Sequence, residues 1–373
     1  GVDLFKANVT LSVFNDPYMV EIKDCSNVMV QGLTFQESRG SAVSISGGKD
    51  CLVKDCRFER FGRDGIHIDG GTGHGISGCL IRMLGFSGIN IKGGDRKTLT
   101  PALHFIENTV VEYFSLFKRT YEPAVYLDGC GMRVSNNRFR FSSSSAMRLD
   151  GNDFMIEYNE ISQVVNESDD QGGIDMWYNP SYRGVVIRYN RWSDIVGGTH
   201  TGAAGVRLDD MISGVTIFGN IFERCGVKLF GGVQIHGGKD NLVENNLFYK
   251  CPAAVSFSQW GEKRWLEQLD LPVMKKKIFE DVDIQSALYQ ERYPELKNIR
   301  KNADVNTVKN NLIVDCETQF LRSKTRQVFE NNTSVGSNGR PVENLCDDKF
   351  LQEYGLKPIP VGNMGPKNNR WIK

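Results

Sequence analysis

The sequence predicts an all-β protein that folds as a right-handed parallel β-helix, a solenoid of about nine to ten coils with a helical insertion near residues 262–302. Three observations lead to this prediction. One twelve-residue motif occurs twice, 190 residues apart. Short strand-like segments recur every 22–31 residues, and amide-rich turns keep a fixed spacing to a large apolar residue. Such recurrence is the signature of a chain built from stacked repeats.

The repeat unit is clearest in 47–58 (GGKDCLVKDCRF) and 237–248 (GGKDNLVENNLF), which share seven of twelve residues. Each unit places a turn residue two positions before a large apolar one. This turn position is occupied by Leu33, Cys56, Cys79, Asn108, Asn137, Asn159, Asn190, Asn220, Asn246 and Asn311. Asn tolerates left-handed backbone, and its amide can hydrogen-bond the Asn one coil away. We therefore expect a structural ladder of side-chain amides.

A five-residue strand follows each turn, with apolar residues at its second and fourth positions. The nine segments are 42–46, 65–69, 88–92, 124–128, 146–150, 173–177, 205–209, 232–236 and 254–258. This period-two alternation indicates a strand with one buried face. Most strands follow one another without an intervening helix, so they do not form βαβ units. Stacked coils are the arrangement that buries their apolar residues.

We expect a single β-helix domain over residues 1–336, followed by a separate tail. Residues 262–302 carry spaced apolar side chains among dense charges, which predicts helices packed outside the coils. The coils are expected to resume at 305–314. The tail, residues 337–373, is punctuated by Pro and Gly and is expected to cover the last coil.

Composition narrows the possible partners. The 45 basic and 45 acidic residues cancel, so nothing favours nucleic acid or a membrane surface. No apolar run approaches the ~20 residues that a membrane span needs. Nine cysteines without a CxxC pair argue against a disulfide framework or a zinc site, and we expect structural thiols, no metal and no cofactor. Because Gly1 begins in the middle of the pattern, we expect an export signal upstream and a secreted, periplasmic or outer-surface monomer.

The outward positions of the strands predict one functional face. The third positions stack into a column of Ser44, His67, Asn90, Tyr126, Arg148, Asp175, Arg207, Gln234 and Ser256. The fifth positions give Ser46, Asp69, Lys92, Asp128, Asp150, Trp177, Asp209, His236 and Ser258. Aromatic rings and Arg beside carboxylates suit sugar rings and hydroxyl groups. We expect a polysaccharide or oligosaccharide to be held by Asp169, Arg148, Trp177, Arg207, Gln234, His236, His200, Tyr126 and His67.

Loop lengths and carboxylates locate the centre of this face. The distance from turn to strand is 9 residues in the short coils and 12–16 residues after Asn108, Asn159, Asn190 and Asn220. Long loops on one edge of a solenoid commonly form a binding wall. Glycoside hydrolysis needs one protonated and one ionised carboxyl group, about 5–5.5 Å apart for retention or 6.5–9.5 Å apart for inversion. The candidate catalytic residues are Asp170, Asp209, Asp210 and Asp175.

The segments DDQGGIDMW (169–177), GVRLDDMISGVTIFGNIFERCG (205–226) and GGVQIHGGKDNLVENNLF (231–248), followed by RYPELKNI (292–299), carry a resemblance. Over residues 154–315 the chain resembles bacterial β-helix proteins around glycoside hydrolase family 141, in the pectate-lyase-like superfamily. The resemblance implies action on plant cell-wall glycans such as xylan or pectin side chains. It also implies a catalytic pair formed by Asp170 and either Asp209 or Asp210.

Two other functions remain open from the sequence. A polysaccharide lyase would use Arg148, Arg207 or Lys92 as the proton abstractor, often with Ca²⁺ on a uronate, although no acidic cage typical of Ca²⁺ is evident. Its product would be unsaturated and would absorb in the ultraviolet. A non-catalytic glycan-binding or surface solenoid would keep its binding when Asp170, Asp209 and Asp210 are replaced by Asn.

Overall fold

The computed structural model describes residues 6, 9–227, 229–323, 326–367 and 369–371. Within this part of the chain, three parallel sheets of 11 strands each wrap around one core. Each coil passes through sheet 1, sheet 2 and sheet 3 in turn. The prediction of a right-handed parallel β-helix is confirmed, but the predicted nine to ten coils are too few. The strands of the first and last coils lie at the ends of the stack, where the alternation of buried and outward residues is weaker.

Sheet 1 carries the strands predicted to bear the functional face. Its strands are Tyr18–Lys23, Ser41–Ser46, Ile66–Asp69, Ile89–Gly93, Val125–Cys130, Met147–Asn152, Gln171–Trp177, Ala203–Asp209, Val233–His236, Ala253–Ser258 and Thr318–Leu321. Sheet 2 comprises Met29–Gln31, Leu52–Lys54, Gly75–Ser77, Phe105–Glu107, Arg133–Ser135, Met155–Glu157, Val186–Arg188, Thr216–Phe218, Leu242–Glu244, Thr307–Lys309 and Val328–Glu330. Sheet 3 comprises Thr34–Ser38, Arg57–Phe61, Leu80–Leu84, Val110–Glu112, Arg138–Arg140, Glu160–Ser162, Arg191–Ile195, Ile221–Cys225, Leu247–Tyr249, Leu312–Val314 and Thr333–Val335.

The register of sheet 1 aligns the outward residues as the alternation predicts. Asp175 pairs with Arg148 on one side and with Arg207 on the other. Arg207 in turn pairs with Gln234 on the next strand. The alternate residues Ile174 and Met176 lie in the core with no exposed surface. Stacked coils therefore bring side chains that are far apart in sequence onto one surface.

The amide ladder forms at the turn between sheets 2 and 3. Asn220 accepts from the backbone N–H of Asn190 at 3.0 Å, and Asn246 repeats the contact with Asn220 at 2.9 Å. The predicted ladder position Asn108 is wrong by one residue. Thr109 takes that position, because its N–H donates to Asn137 and its hydroxyl accepts from the N–H of Cys79. Asn108 adopts a left-handed turn (φ 50°) just before it.

The insertion is helical, as predicted, and packs beside sheet 1. It contains the α-helices Gly261–Leu269, Pro272–Lys275 and Ala287–Arg292, the π-helical turn Lys276–Glu280 and the 3₁₀ turn Pro294–Asn298. Its buried core includes Trp265 and Tyr289 and contacts Met211 of the β-helix. Lys277 Nζ donates to the Tyr178 carbonyl at 2.7 Å, so the insertion lies against the end of the strand that carries Trp177.

The tail runs along the side of the stack. It contains the short helices Val342–Leu345 and Asp348–Glu353 and the 3₁₀ turn Val361–Asn363, whose apolar residues pack on the outside of sheet 3. Its Gly365 N–H donates to the Tyr158 carbonyl at 2.8 Å, several coils back. Phe329, in the last coil, is 37% exposed. Cover of the last coil by the tail and a domain boundary at 336 remain predictions. No helix among the described residues is long and apolar enough to cross a membrane.

Candidate active site

A cleft of about 830 Å³ lies on the outer face of sheet 1. Its floor is formed by the third and fifth positions of successive strands, and loops that enter sheet 1 from sheet 3 form one wall. The wall therefore stands on the edge where the sequence places the long loops. Ten of the predicted site residues line the cleft: Tyr126, Arg148, Asp170, Asp175, Trp177, Arg207, Asp209, Asp210, Gln234 and His236.

Arg207 is the central charge of the cleft. Its Nη2 lies 2.9 Å from Asp170 Oδ1 and 3.0 Å from Asp209 Oδ2, and its Nη1 lies 3.8 Å from Asp175 Oδ1. The Arg207 side chain is only 7% exposed. Since Asp170 and Asp209 approach the same nitrogen, the sum of the two distances, 5.9 Å, is the upper limit for the separation of those oxygens. The guanidinium therefore holds carboxylates from two neighbouring coils close together.

Asp209 and Asp210 share a histidine. His236 Nδ1 lies 2.8 Å from Asp209 Oδ1 and 3.3 Å from Asp210 Oδ1. Asp210 Oδ2 accepts from the indole N–H of Trp177 at 3.0 Å. Burial, followed by the negative charge of Asp209, raises the pKa of Asp210, although the Trp177 hydrogen bond acts in the opposite direction. Asp210 is therefore biased towards its protonated form while it still borders the cleft.

Asp175 lies between the two arginines of the third-position column. Its Oδ2 is 3.3 Å from Arg148 Nη1. Burial raises the pKa of Asp175 to about 7, although Arg207 and Arg148 favour the ionised form. Its carboxyl group is only 5% exposed. Asp175 can therefore hold a proton near neutral pH at the base of the cleft.

A second carboxylate group lies towards the N-terminal coils. Asp150 accepts from Arg148 Nε at 2.9 Å and from the Tyr126 hydroxyl at 3.1 Å. Burial and the neighbouring charge of Asp150 raise the pKa of Tyr126 and that of Asp128. Arg148 thus links Asp150 to Asp175, and the ionic contacts form one continuous network along the floor.

Three predicted binding residues do not line the cleft. Asp169 accepts the backbone N–H groups of His200, Thr201 and Gly202, which outweigh slight burial and lower its pKa. It therefore fixes the neighbouring loop, and His200 lies exposed on that loop. His67 contacts Asp64 at 3.2 Å, one coil before the cleft begins at Asn90. The predicted sugar contacts of these three residues gain no support from their positions.

The loops add lining residues that the strand pattern does not reveal. Tyr121, Leu229 and Phe230 belong to the wall, and Arg322 follows the last strand of sheet 1. The Phe230 ring lies 5.6 Å from the Arg207 guanidinium. The extra length of the loops signals that residues from them enter the site. It does not indicate which side chains turn towards the cleft.

The arrangement offers groups for acid–base chemistry and for ligand binding. Asp209, Asp210 and His236 present ligand atoms within 4.8 Å of one another, a spacing that a metal ion would also accept. In that group, both short contacts involve His236 Nδ1, which lies 2.8 Å from Asp209 Oδ1 and 3.3 Å from Asp210 Oδ1. Trp177 is 46% exposed and offers a ring face beside the carboxylates. Carboxyl groups with raised pKa next to ionised ones are the elements of general acid–base catalysis.

Comparison with known proteins agrees with this architecture. The family model described as "Right handed beta helix region" matches residues 18–108 and 123–266. Among solved structures, a PL6 alginate lyase in complex with a trisaccharide has a TM-score of 0.46 and 10% identity over 95% of this chain and 90% of that chain. A periplasmic alginate epimerase has a TM-score of 0.39 and 9% identity, over 86% of this chain and 79% of its own.

A protein titled glycoside hydrolase has a TM-score of 0.30 and 13% identity, over 87% of this chain and 41% of its own. At these identities the likeness concerns the fold alone. No curated protein matches the sequence.

Proposed function

The chain belongs to the right-handed β-helix family, and on that fold we propose that it is a glycoside hydrolase that cleaves a polysaccharide in the sheet 1 cleft. One observation carries the proposal. Within the described chain, ten buried side-chain polar atoms lack a hydrogen-bond partner, and four of them belong to cleft residues. They are Asp175 Oδ1, Asp210 Oδ1, Arg207 Nε and Gln234 Oε1. Buried polar groups are normally satisfied, so their concentration in one cleft favours a hydroxyl-rich ligand.

Asp210 is the proposed general acid. Its raised pKa favours the protonated carboxyl group that must give a proton to the leaving glycosidic oxygen. The Trp177 N–H donates to Asp210 Oδ2, so the proton of the protonated carboxyl group would be carried by Oδ1. Although Oδ1 is 3.3 Å from His236 Nδ1, the angle does not make a hydrogen bond.

Asp170 is the proposed ionised carboxylate. It is 56% exposed at the cleft and forms an ion pair with Arg207. As a carboxylate it could attack the anomeric carbon or activate water. In the family 141 resemblance, Asp209 is the alternative to Asp210 as the partner of Asp170. We assign it a positioning role, because it holds both Arg207 and His236.

Trp177, Tyr126 and Gln234 are proposed to bind the sugar rings. Trp177 is 46% exposed and its indole N–H donates to Asp210 Oδ2, so a pyranose stacked on its ring would lie beside the proposed acid. Because polysaccharides do not cross membranes unaided, we propose that the protein acts outside the cytoplasm. Plant cell-wall glycans are the substrate class that the family 141 resemblance suggests.

The test compares two leaving groups. Asp210→Asn should lower kcat/KM on the polysaccharide by about 10²–10⁴-fold. It should lower kcat/KM much less on aryl glycosides, whose leaving group needs no proton. Asp170→Asn should abolish turnover of both substrates. Asp69→Asn is the control, because Asp69 occupies the fifth position of a sheet 1 strand, like Trp177 and Asp209, but lies outside the cleft. This replacement should leave turnover unchanged. Equal losses on both substrates for Asp210→Asn would refute its role as the acid.

The products separate hydrolysis from the lyase alternative. In H₂¹⁸O a hydrolase places one labelled oxygen at each new reducing end, whereas a lyase incorporates none and forms an unsaturated product that absorbs in the ultraviolet. The group of Asp209, Asp210 and His236 is the observation that favours the lyase alternative, since a cation bound there could neutralise a uronate. Arg148 and Arg207 are already ion-paired, which disfavours either as a free base. Binding without any turnover would favour a non-catalytic solenoid.

A further inference from the structure

We infer that the polysaccharide taken by this cleft is uncharged, that is, a chain of neutral sugars without carboxylate groups. The inference rests on the proposed function and specifies its substrate class. It is drawn from the charge balance of the cleft, the pairing of its cations and the type of hydrogen-bonding atom that it leaves unpartnered.

Acidic side chains outnumber basic ones along the cleft. Six carboxyl groups line it, together with three arginines and one histidine. The histidine, His236, is shared between Asp209 and Asp210. A polyuronate carries one negative charge per sugar, and clefts that take polyanions present an excess of unpaired positive charge. This cleft presents the opposite excess.

The two arginines on the floor are already committed to aspartates. Arg207 contacts Asp170, Asp175 and Asp209, and its side chain is 7% exposed. Arg148 contacts Asp150 at 2.9 Å and Asp175 at 3.3 Å. A sugar carboxylate that approached either guanidinium would therefore lie beside these aspartates as a like charge, whether it displaced one of them or accepted from the remaining Arg207 Nε–H.

The cations at the margin are held by backbone carbonyl groups. Arg322 Nη2 donates to the Leu229 carbonyl at 2.5 Å. Lys277 Nζ, near Trp177 but outside the lining, donates to the Tyr178 carbonyl at 2.7 Å. A backbone carbonyl group is neutral and does not cancel the positive charge of Arg322 or Lys277. Arg322, which lines the cleft, is therefore the group there that would attract an anion most strongly. It lies at the end of the cleft, beyond the proposed catalytic pair.

The unpartnered atoms of the cleft suit groups that can donate hydrogen bonds. Gln234 Oε1 is an acceptor and Arg207 Nε is a donor, whereas Asp175 Oδ1 and Asp210 Oδ1 accept when ionised and can donate when protonated. Sugar hydroxyl groups donate hydrogen bonds, whereas a carboxylate only accepts them. Replacing a uronate carboxylate by the hydroxymethyl group of a neutral hexose therefore removes a repulsion and adds a donor.

The experiment compares polymers that differ only in this group. Polygalacturonate, polyglucuronate and polymannuronate are each tested against their carboxyl-reduced forms by affinity electrophoresis, using Asp210→Asn to suppress turnover. We expect at least one reduced polymer to bind tenfold or more tightly than its parent. The ratio should shrink in the Asp150→Asn background, which frees Arg148, and should be unchanged in Asp69→Asn.

Equal or tighter binding of the polyuronates would overturn the inference, as would failure of all three reduced polymers to bind. Preferential binding of a reduced polymer that the native protein does not cleave would sustain this inference and overturn the hydrolase proposal. Cleavage of a polyuronate by water addition would do the reverse.

Discussion

Asp175 allows the electrostatics of the cleft to be tested without any substrate. The replacement Asp175→Asn keeps the shape of the side chain and removes its ionisation. Burial raises the pKa of Asp175 from 3.8 to about 7, and its carboxyl group is 5% exposed. Between these pH values the folded protein holds a proton that the unfolded chain has released. The contribution of Asp175 to the free energy of unfolding is therefore full below pH 3.8 and is lost as the pH rises through 7.

The magnitude follows from linkage. A shift of about three pKa units corresponds to about 4 kcal/mol, the full loss at high pH. About 2–3 kcal/mol of that loss falls between pH 5 and pH 8. The Asn variant is free of it, so its unfolding free energy relative to the native protein should rise by about 2–3 kcal/mol over this interval. For a chain of this length, that is about 3 °C in Tm.

Urea unfolding of both proteins at pH 5 and pH 8 measures this difference. The slope with urea must stay constant between the two proteins for the comparison to hold. Asp69→Asn, at an exposed position of sheet 1, is the matched control and should change the unfolding free energy equally at both pH values. If Asp175→Asn becomes less favourable at pH 8 than at pH 5, Asp175 is held ionised by Arg148 and Arg207, and the assignment of a raised pKa is wrong.

Three further predictions concern a buried histidine, the amide ladder and the proposed acid. Burial and the charge of His74 lower the pKa of His104 to about 4, so the contribution of His104 to stability is lost as the pH falls from 6.5 through 4. The replacement His104→Asn should therefore recover about 2 kcal/mol of unfolding free energy at pH 5 relative to pH 8. Asn220→Ala, inside the amide ladder, should lower the free energy of unfolding by about 3 kcal/mol. Asn332→Ala, in the last coil, should lower it by only about 1 kcal/mol, since water can replace the hydrogen-bond partners of Asn332. Equal losses for the two variants in urea unfolding would contradict this. Trp177→Phe removes the hydrogen bond that lowers the pKa of Asp210, so the alkaline limb of the kcat/KM profile should move to higher pH, and a move to lower pH would refute the acid assignment.

Much of the floor of the cleft could be predicted because strand alternation fixes where a side chain points. Asp175, Arg207 and Gln234 lie 27–32 residues apart, yet each occupies the third position of a strand with apolar neighbours. Once the coils stack, that position alone makes them adjacent. The same rule placed Trp177 beside Asp209, and the register confirms the pair.

The wall could not be predicted in this way because loops lack a period. Asp169 and Asp170 are neighbours in one loop, yet Asp169 accepts backbone N–H groups away from the cleft and Asp170 contacts Arg207 inside it. The left-handed backbone of Asp170 (φ 60°) separates their directions, and composition does not reveal it. Tyr121 and Phe230 were missed for the same reason. Thr109 was missed because its hydroxyl replaces an amide that the pattern seeks at Asn108.

The interior and the cleft of this molecule treat polar groups in opposite ways. In the ladder, Asn220 both donates to and accepts from its neighbours, so its burial leaves nothing unsatisfied. In the cleft, Asp175, Arg207 and Gln234 are nearly as buried as the ladder residues, yet each retains an unpartnered atom. A stack of eleven coils supplies enough buried apolar surface to tolerate that loss. A ligand that binds only the folded chain and pairs with these atoms would recover part of the lost hydrogen bonding. At a free ligand concentration of 100 times its Kd, it should raise the free energy of unfolding by about 2.7 kcal/mol.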